Sequence, residues 1–438
     1  MEYYSLLMFP ALFTLIFLGF PIAFSLMGVA LIFGLITFDM VVFHQFTSKV
    51  EAVGTNFVLA AVPLFVFMGS MLERSGIAER LFEAVHLWTR RLPGGLAIGT
   101  VIMCVIFAAS TGVIGATETV VGLLAIPPML KHKYDKGLIS GTICAGGSLG
   151  TIIPPSVVVV VLGPIADVSI GDLFVGMIFP GLILSALYLL YIVGLCIVRP
   201  SAAPREEPDE DAPSLATKIL ITAEALVPPF LLIFAVLGSI MFGWAAPTEA
   251  AGLGAIGATI LAIGYGRFTL PMFGEALVKT LIITCMIMLI LLAGSMFTGV
   301  FVASGGIMVV RDLLEATNLG PWGLIFLFLG LIFIAGFFLE WISILLIFVP
   351  IFMPFVETSG FDPVWFSMLV LIMVQTSYLT PPMAPSIFYL RGIAPPEITL
   401  IDMYRGVAPF LVAQLICLAL VMAFPELALW LPDQLLGF

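Results

Sequence analysis

"GTIIPPSVVVVV", residues 150 to 161, sets two adjacent prolines inside an apolar stretch of the length expected for a membrane helix. A proline removes an intrahelical donor and clashes with the preceding turn, so this stretch reads as a helix broken in mid-path. The same device returns in "YLTPPMAPS", residues 378 to 386, and the two proline pairs stand 227 positions apart. A break leaves carbonyls of one half-helix free for a cation and offers amide N–H groups of the other to an anion. A plain proline kink repaired by neighbouring helices is the alternative, and two copies at a fixed offset argue against it.

The composition sets the solvent. With 61% hydrophobic and 10% charged residues and a mean hydropathy of +1.22 over 438 residues, the chain is a polytopic membrane protein. A crossing helix needs about 20 apolar residues, which allows on the order of ten crossings. The apolar runs are continuous, so helices are expected and a barrel is not. "MEYYSLLMFPALF" lacks a basic n-region and a cleavage site and reads as the first membrane segment. The five cysteines lie in apolar segments without ligand spacing, so neither a disulfide scaffold nor a metal site is expected. Much of the net charge of −11 belongs to one acidic, proline-rich stretch, residues 199 to 218, which reads as a solvated linker.

That linker separates two similar halves, residues 1–198 and 219–438. Pro21 and Gly28 recur as Pro247 and Gly254 after 226 positions, and Pro127 and Tyr134-Asp135 recur as Pro354 and Phe361-Asp362 after 227. Gly76 with Gly306 and Pro180 with Pro409 need small gaps. Basic short loops stay in the cytoplasm. "KHKYDKG" carries Lys131, Lys133 and Lys136, whereas its counterpart "ETSGFDP" carries no base; likewise Arg74, Arg80, Arg90 and Arg91 face a counterpart with Arg311 alone. Equivalent loops therefore point to opposite sides, the pattern of an inverted-topology repeat.

Threading follows from those loops. Helices are expected near 4 to 19, 21 to 38 and 56 to 72, with an outside loop holding Asp39 and Glu51. Residues 73 to 93 suit an interfacial helix. Residues 95–129 begin and end at cytoplasmic loops and so form a re-entrant hairpin with its tip at "FAASTGVIGATE"; a second hairpin spans 322–354 with its tip near residues 334 to 341. Broken helices 138–163 and 365–390 follow the hairpins, and the proline pairs are placed to start their second halves. The fold class is all-α, with about ten transmembrane helices plus two re-entrant hairpins.

At these residues the sequence resembles the large membrane subunit of tripartite ATP-independent periplasmic (TRAP) transporters. The marks are "APTEAAGLGA" (246 to 255), "FAASTGVIGATETVVGLLAIPPM" (107 to 129), "GGSLGTIIPPS" (146 to 156), "GFFLEWISILLIFVPIFMP" (336 to 354), "SGFDP" (359 to 363) and "YLTPPMAPS". The resemblance covers essentially the whole chain. It implies the elevator-type ion-transporter architecture, import of an organic acid coupled to sodium, and a place in the bacterial or archaeal cytoplasmic (inner) membrane. It also implies two partners, a small four-helix membrane subunit and a periplasmic substrate-binding protein. No cofactor is implied beyond Na⁺ as coupling ion, and membrane lipid, not nucleic acid, surrounds the chain.

By the family pattern one sodium site uses Ser110, Thr111 and Gly112 with Gly150, Thr151 and Pro154. The second uses Gly336 to Glu340 with Thr376, Thr380 and Pro381. Relatives often carry a Ser-Gly-Ser-rich first tip, which here reads Ser110-Thr111-Gly112-Val113, and Glu118 shortly after it is less usual. A carboxylate at membrane depth is a functional hypothesis by default. Glu118, Ser156 and Ser386 are accordingly the candidates for substrate contact, while Glu249 in "PTEAAG" reads as a helix-start acid. A binding-protein-independent dicarboxylate or citrate symporter, or an ion antiporter, shares the architecture and is the rival reading. An intramembrane enzyme is disfavoured, since no membrane histidine stands ready to activate a serine and no HExxH occurs.

Overall fold

The computed structural model describes residues 4–111, 115–205 and 214–436. The chain is all-helical over these residues. The first half runs α1 (Met8–Phe17), α2 (Ile22–Phe38), α3 (Val41–Gly54), α4 (Ala61–Arg74), α5 (Ile77–Thr89), α6 (Gly95–Thr111), α7 (Ala116–Lys131), α8 (Lys136–Ser148), α9 (Val157–Ala166), α10 (Ile170–Gly176) and α11 (Ile178–Val198). The second runs α12 (Leu215–Met241), α13 (Pro247–Gly264), α14 (Leu270–Ala303), α15 (Gly306–Thr317), α16 (Pro321–Ala335), α17 (Trp341–Thr358), α18 (Pro363–Leu379), α19 (Pro385–Ile393), α20 (Leu400–Ala423) and α21 (Glu426–Leu435). Seven helical stretches are long and apolar enough to cross a membrane, and six shorter apolar ones accompany them.

Local chemistry explains many boundaries. Asp135 Oδ1 accepts the Leu138 N–H at 3.0 Å to start α8, and Asp362 Oδ1 accepts the Val364 N–H at 2.7 Å to start α18. The Tyr-Asp and Phe-Asp match at one offset is thus a pair of matching helix caps. Glu249 accepts the Ala246 N–H at 2.8 Å, the helix-start role its position suggests. Gly76 opens α5 at φ +77°, and Gly305, not Gly306, opens α15 at φ +82°. The left-handed conformation identifies Gly305 as the counterpart of Gly76.

Two further expectations change. Residues 41 to 54, read as a loop, form α3, whose polar residues are spread among apolar ones. The proline pairs do not start the second half-helices: α9 begins at Val157 behind the Ser156 cap, and α19 begins at Pro385. Ser156 Oγ accepts the Val158 N–H at 3.3 Å, and Pro385 fills the first helical position, where no N–H is needed. Pro154-Pro155 and Pro381-Pro382 therefore sit within the unwound stretches themselves, each pair joined by a cis bond.

Packing sorts the helices into a lipid-facing layer and a buried centre. In α12 only 22% of the spanning window is buried, and Phe230 and Phe234 are exposed; in α17 the figure is 72%, so protein rather than lipid surrounds it. Every residue of 138–148 in α8 and of 365–379 in α18 is buried. A second group joins α13 to α4 and α14 to α2, with α4 and α14 touching. α14 runs unbroken for 34 residues. Its counterpart in the first half is interrupted where Asn56 Oδ1 takes the Val58 N–H at 3.1 Å and opens a 3-10 turn, Phe57–Ala60, between α3 and α4.

α20 acts as a ruler for the centre. The start of α8 lies against its early part, where Gly137 and Gly141 meet Gly406 so closely that a Cβ on Gly406 would come within 2.0 Å of the Gly137 carbonyl oxygen. The start of α18 lies at its far end, where Trp365 Nε1 donates to the Val421 carbonyl at 2.9 Å. α8 and α18 thus run in opposite directions along one helix. At one end of the molecule Lys279 pairs with Glu73, Arg74 with Glu275 at 3.2 Å, and the Asp135 amide donates to the Ala202 carbonyl at 2.8 Å.

Candidate functional site

The two broken helices and the two helix pairs before them, α6–α7 and α16–α17, meet in this buried centre. In the first half, α6 packs on the 3-10 turn Leu149–Thr151 that follows α8. Ser110, near the end of α6, and the turn residues Gly150 and Thr151 are all buried. The Ser110 hydroxyl is buried and donates to the Ile106 carbonyl at 2.8 Å; Thr151 Oγ1 donates to the Ser148 carbonyl at 2.9 Å. Thr111 closes α6, Pro154 follows in the unwound stretch, and Gly112 lies outside the described residues.

The second half repeats the arrangement. α16 ends at Gly336, which abuts Ser377 so closely that a Cβ there would lie 2.7 Å from the Ser377 Cβ. Thr376 Oγ1 donates to the Met373 carbonyl and Thr380 Oγ1 to the Thr376 carbonyl, both at 2.6 Å. A hydroxyl that spends its proton on its own helix keeps its oxygen lone pairs. Ser110, Thr151, Thr376 and Thr380 are therefore equipped as oxygen ligands for a cation. Pro381 begins the turn that leads to Ala384 at φ +34°.

Beside the second tip lies a cavity of about 170 Å³. Gly336, Glu340, Trp341, Ser377, Tyr378 and Tyr389 line it from the second half, Val157 and Val158 from α9, and Val66, Ile283 and Met286 from α4 and α14. It thus sits between the buried centre and the outer helices. The first turns of three helices, α9, α17 and α19, open on it, and α17 and α19 have no side-chain cap. Uncapped N-terminal turns present amide donors and the positive end of the helix dipole, a setting suited to an anion. Tyr378, 4% exposed, is part of the lining, and its buried hydroxyl has no hydrogen-bond partner. Such a group normally finds one, and a bound solute would supply it. Among the described residues Glu340 is the single acidic side chain of the lining.

The three residues chosen for substrate contact lie elsewhere. Ser156 is fully buried and caps α9. Glu118 and Ser386 are fully buried and bonded to each other at 2.9 Å. None of the three lines the cavity, though Ser156 and Ser386 adjoin lining residues at helix starts, Val157 and Pro385. Tyr378 and Tyr389 were missed. Tyr378 stands between Thr376 and Thr380 in a polar interruption of an apolar helix, a usable signal; Tyr389 has none, because only the path of α19 after the break brings it to the cavity. Among the described residues no group of three or more His, Cys, Asp and Glu side chains is arranged to hold a metal ion.

Comparison with known proteins gives a consistent picture. The sequence matches the family described as "Tripartite ATP-independent periplasmic transporter, DctM component" over residues 9–427. The sialic acid TRAP transporter large permease protein SiaM of Vibrio cholerae is 30% identical over 97% of both chains. The C4-dicarboxylate TRAP transporter large permease protein DctM of Pseudomonas aeruginosa is 30% identical over 88% of this chain and 89% of its own. The ectoine TRAP transporter large permease protein TeaC of Halomonas elongata is 28% identical over 98% of both. In fold, the chain is similar to the Alcanivorax borkumensis YdaH transporter, with a TM-score of 0.59 and 16% identity over 96% of this chain and 98% of that one.

Proposed function

This chain belongs to the DctM-component family of tripartite ATP-independent periplasmic transporters, and we propose that it imports a small organic acid on a sodium gradient. It is a multi-pass inner-membrane permease of that family, not an enzyme. The observation that carries the proposal is the cavity: three helix N-terminal turns line a space enclosed by both halves, and Tyr378 of its wall has an unpartnered hydroxyl. A carboxylate fits the amide ends. Relatives named for sialic acid, C4-dicarboxylate and ectoine make an organic solute carrying a carboxylate the natural class.

In this reading residues 1–198 and 219–438 are inverted repeats joined by the cytoplasmic linker 199–218. The antiparallel course of α8 and α18 along α20 supports it. α6–α7 and α16–α17 are the re-entrant hairpins, and with the broken helices they form the body that moves as an elevator against α2, α4, α13 and α14. The sodium ions bind at the two tips, held by the oxygens of Ser110, Thr111, Gly112, Gly150, Thr151 and Pro154, and of Gly336, Glu340, Thr376, Thr380 and Pro381. The partners are a small four-helix subunit and a periplasmic binding protein that hands over the acid.

The test is reconstitution in proteoliposomes with the small subunit and candidate binding proteins, following labelled sialic acid, C4 dicarboxylate or ectoine. Uptake should need both an inward sodium gradient and the binding protein. Uptake that proceeds without a binding protein would favour a simple symporter, and uptake driven by ATP would reject the mechanism.

A further inference from the structure

The pair Glu118 and Ser386 joins the two halves across 268 positions. Glu118 stands in the first turn of α7 and accepts the Gly115 amide N–H on Oε2 at 2.6 Å. Its other oxygen, Oε1, accepts the Ser386 hydroxyl at 2.9 Å, and Ser386 is the second residue of α19. Both side chains are fully buried. The carboxyl group fits only because position 147 is a glycine: a Cβ there would fall 2.4 Å from Glu118 Cγ. A carboxyl group at this depth is costly, and two donors aimed at its two oxygens offset that cost.

The contact continues to the cavity. One turn beyond Ser386, the Tyr389 ring lies against Gly115, where an added Cβ would meet its Cζ at 2.7 Å. Gly115 is therefore held by Glu118 through its amide and covered by Tyr389 on its Cα, and Tyr389 is a wall of the cavity. A shift of the start of α7 has to move α19, or break this bond.

We propose that Glu118 is a positioning residue that clamps the start of α7 to the start of α19, so that cation occupancy at Ser110 and Thr151 sets the cavity wall formed by Tyr389. The cation part rests on the proposed function; the clamp does not. Coupling of this kind acts in both directions.

The full chain in lipid nanodiscs, in NaCl or in choline chloride, is followed by amide hydrogen exchange. Ser386→Ala, at the far end of the sequence, should speed exchange in residues 115–125 by about fivefold, the effect of one lost hydrogen bond. Glu118→Gln should in turn speed exchange in α19. The double variant should add little to either, and Ser386→Thr, which keeps the hydroxyl, should stay near the parent. In the parent, NaCl should slow exchange in α19, and in Ser386→Ala it should not. Additive effects, or exchange in 115–125 indifferent to Ser386→Ala, would overturn the clamp. A parent unresponsive to NaCl with the reciprocal effects intact would remove the sodium reading and leave the clamp standing.

Discussion

Gln375 donates a hydrogen bond to the Ser148 hydroxyl at 3.3 Å, and the two residues are 227 positions apart, the offset that also separates the proline pairs. Equivalent residues of two repeated units touch each other only near the axis that relates them. In the inverted-repeat reading the contact marks the axis that relates the halves, where α8 and α18 pass each other. Gln414 of α20 lies alongside, its Nε2 donating to the Gln375 carbonyl at 3.5 Å.

The inverted-repeat reading puts the starts of α8 and α18 on opposite faces of the membrane. With the exposed Cys285 replaced by serine, an impermeant maleimide applied to right-side-out vesicles should label Glu357→Cys and spare Lys131→Cys, both of which are exposed positions. Labelling of both from the same side would end the inverted-repeat reading.

Tyr378 carries a buried hydroxyl that no protein group satisfies. Tyr378→Phe should leave the thermal unfolding temperature unchanged or slightly raised, because no native hydrogen bond is lost. If the hydroxyl serves the solute, the half-saturating solute concentration for uptake should rise about tenfold or more, the effect of one hydrogen bond to a charged group. A variant less stable but unaltered in uptake would place the hydroxyl in the framework instead.

Gly406 lets α8 and α20 approach backbone to backbone. Gly406→Ala puts a methyl group onto the Gly137 carbonyl and should destabilise the protein by about 1–3 kcal/mol. Gly330→Ala on α16, where nothing lies within 4 Å, should stabilise it by up to about 1 kcal/mol through helix propensity. Thermal unfolding in one detergent compares the two, and equal effects would show that the close approach is not needed.

Asp135 and Asp362 cap the two broken helices. Replacing either by alanine should cost about 1 kcal/mol, and the double replacement should cost the sum to within about 0.5 kcal/mol, since the caps share no partner. A large departure from additivity would mean that the two caps communicate through the centre.

The sequence by itself determined the membrane class, the position of both helix breaks and the offset between the halves. It could do so because each rests on local chemistry: apolar length, a proline without an N–H, an aspartate two or three residues ahead of the amides it caps. It also indicated opposite loop charges, which are set by residues in short connections. The boundaries it misjudged were those where two local signals compete. At residues 41 to 54 scattered polar side chains outweighed helical periodicity, and at the breaks Ser156 and Pro385, not the proline pairs, fix where the helix resumes.

What only the tertiary structure decided is which side chains meet. Glu118 looked like a solute ligand from its depth alone, yet its two oxygens are taken by Gly115 and by Ser386 of the other half. Tyr389 gives no sign in the sequence, yet it lies against Gly115 at the start of α7 and walls the cavity. Local chemistry places a residue along its helix; the direction of that helix after a break, and the partner waiting there, follow from packing between segments hundreds of positions apart.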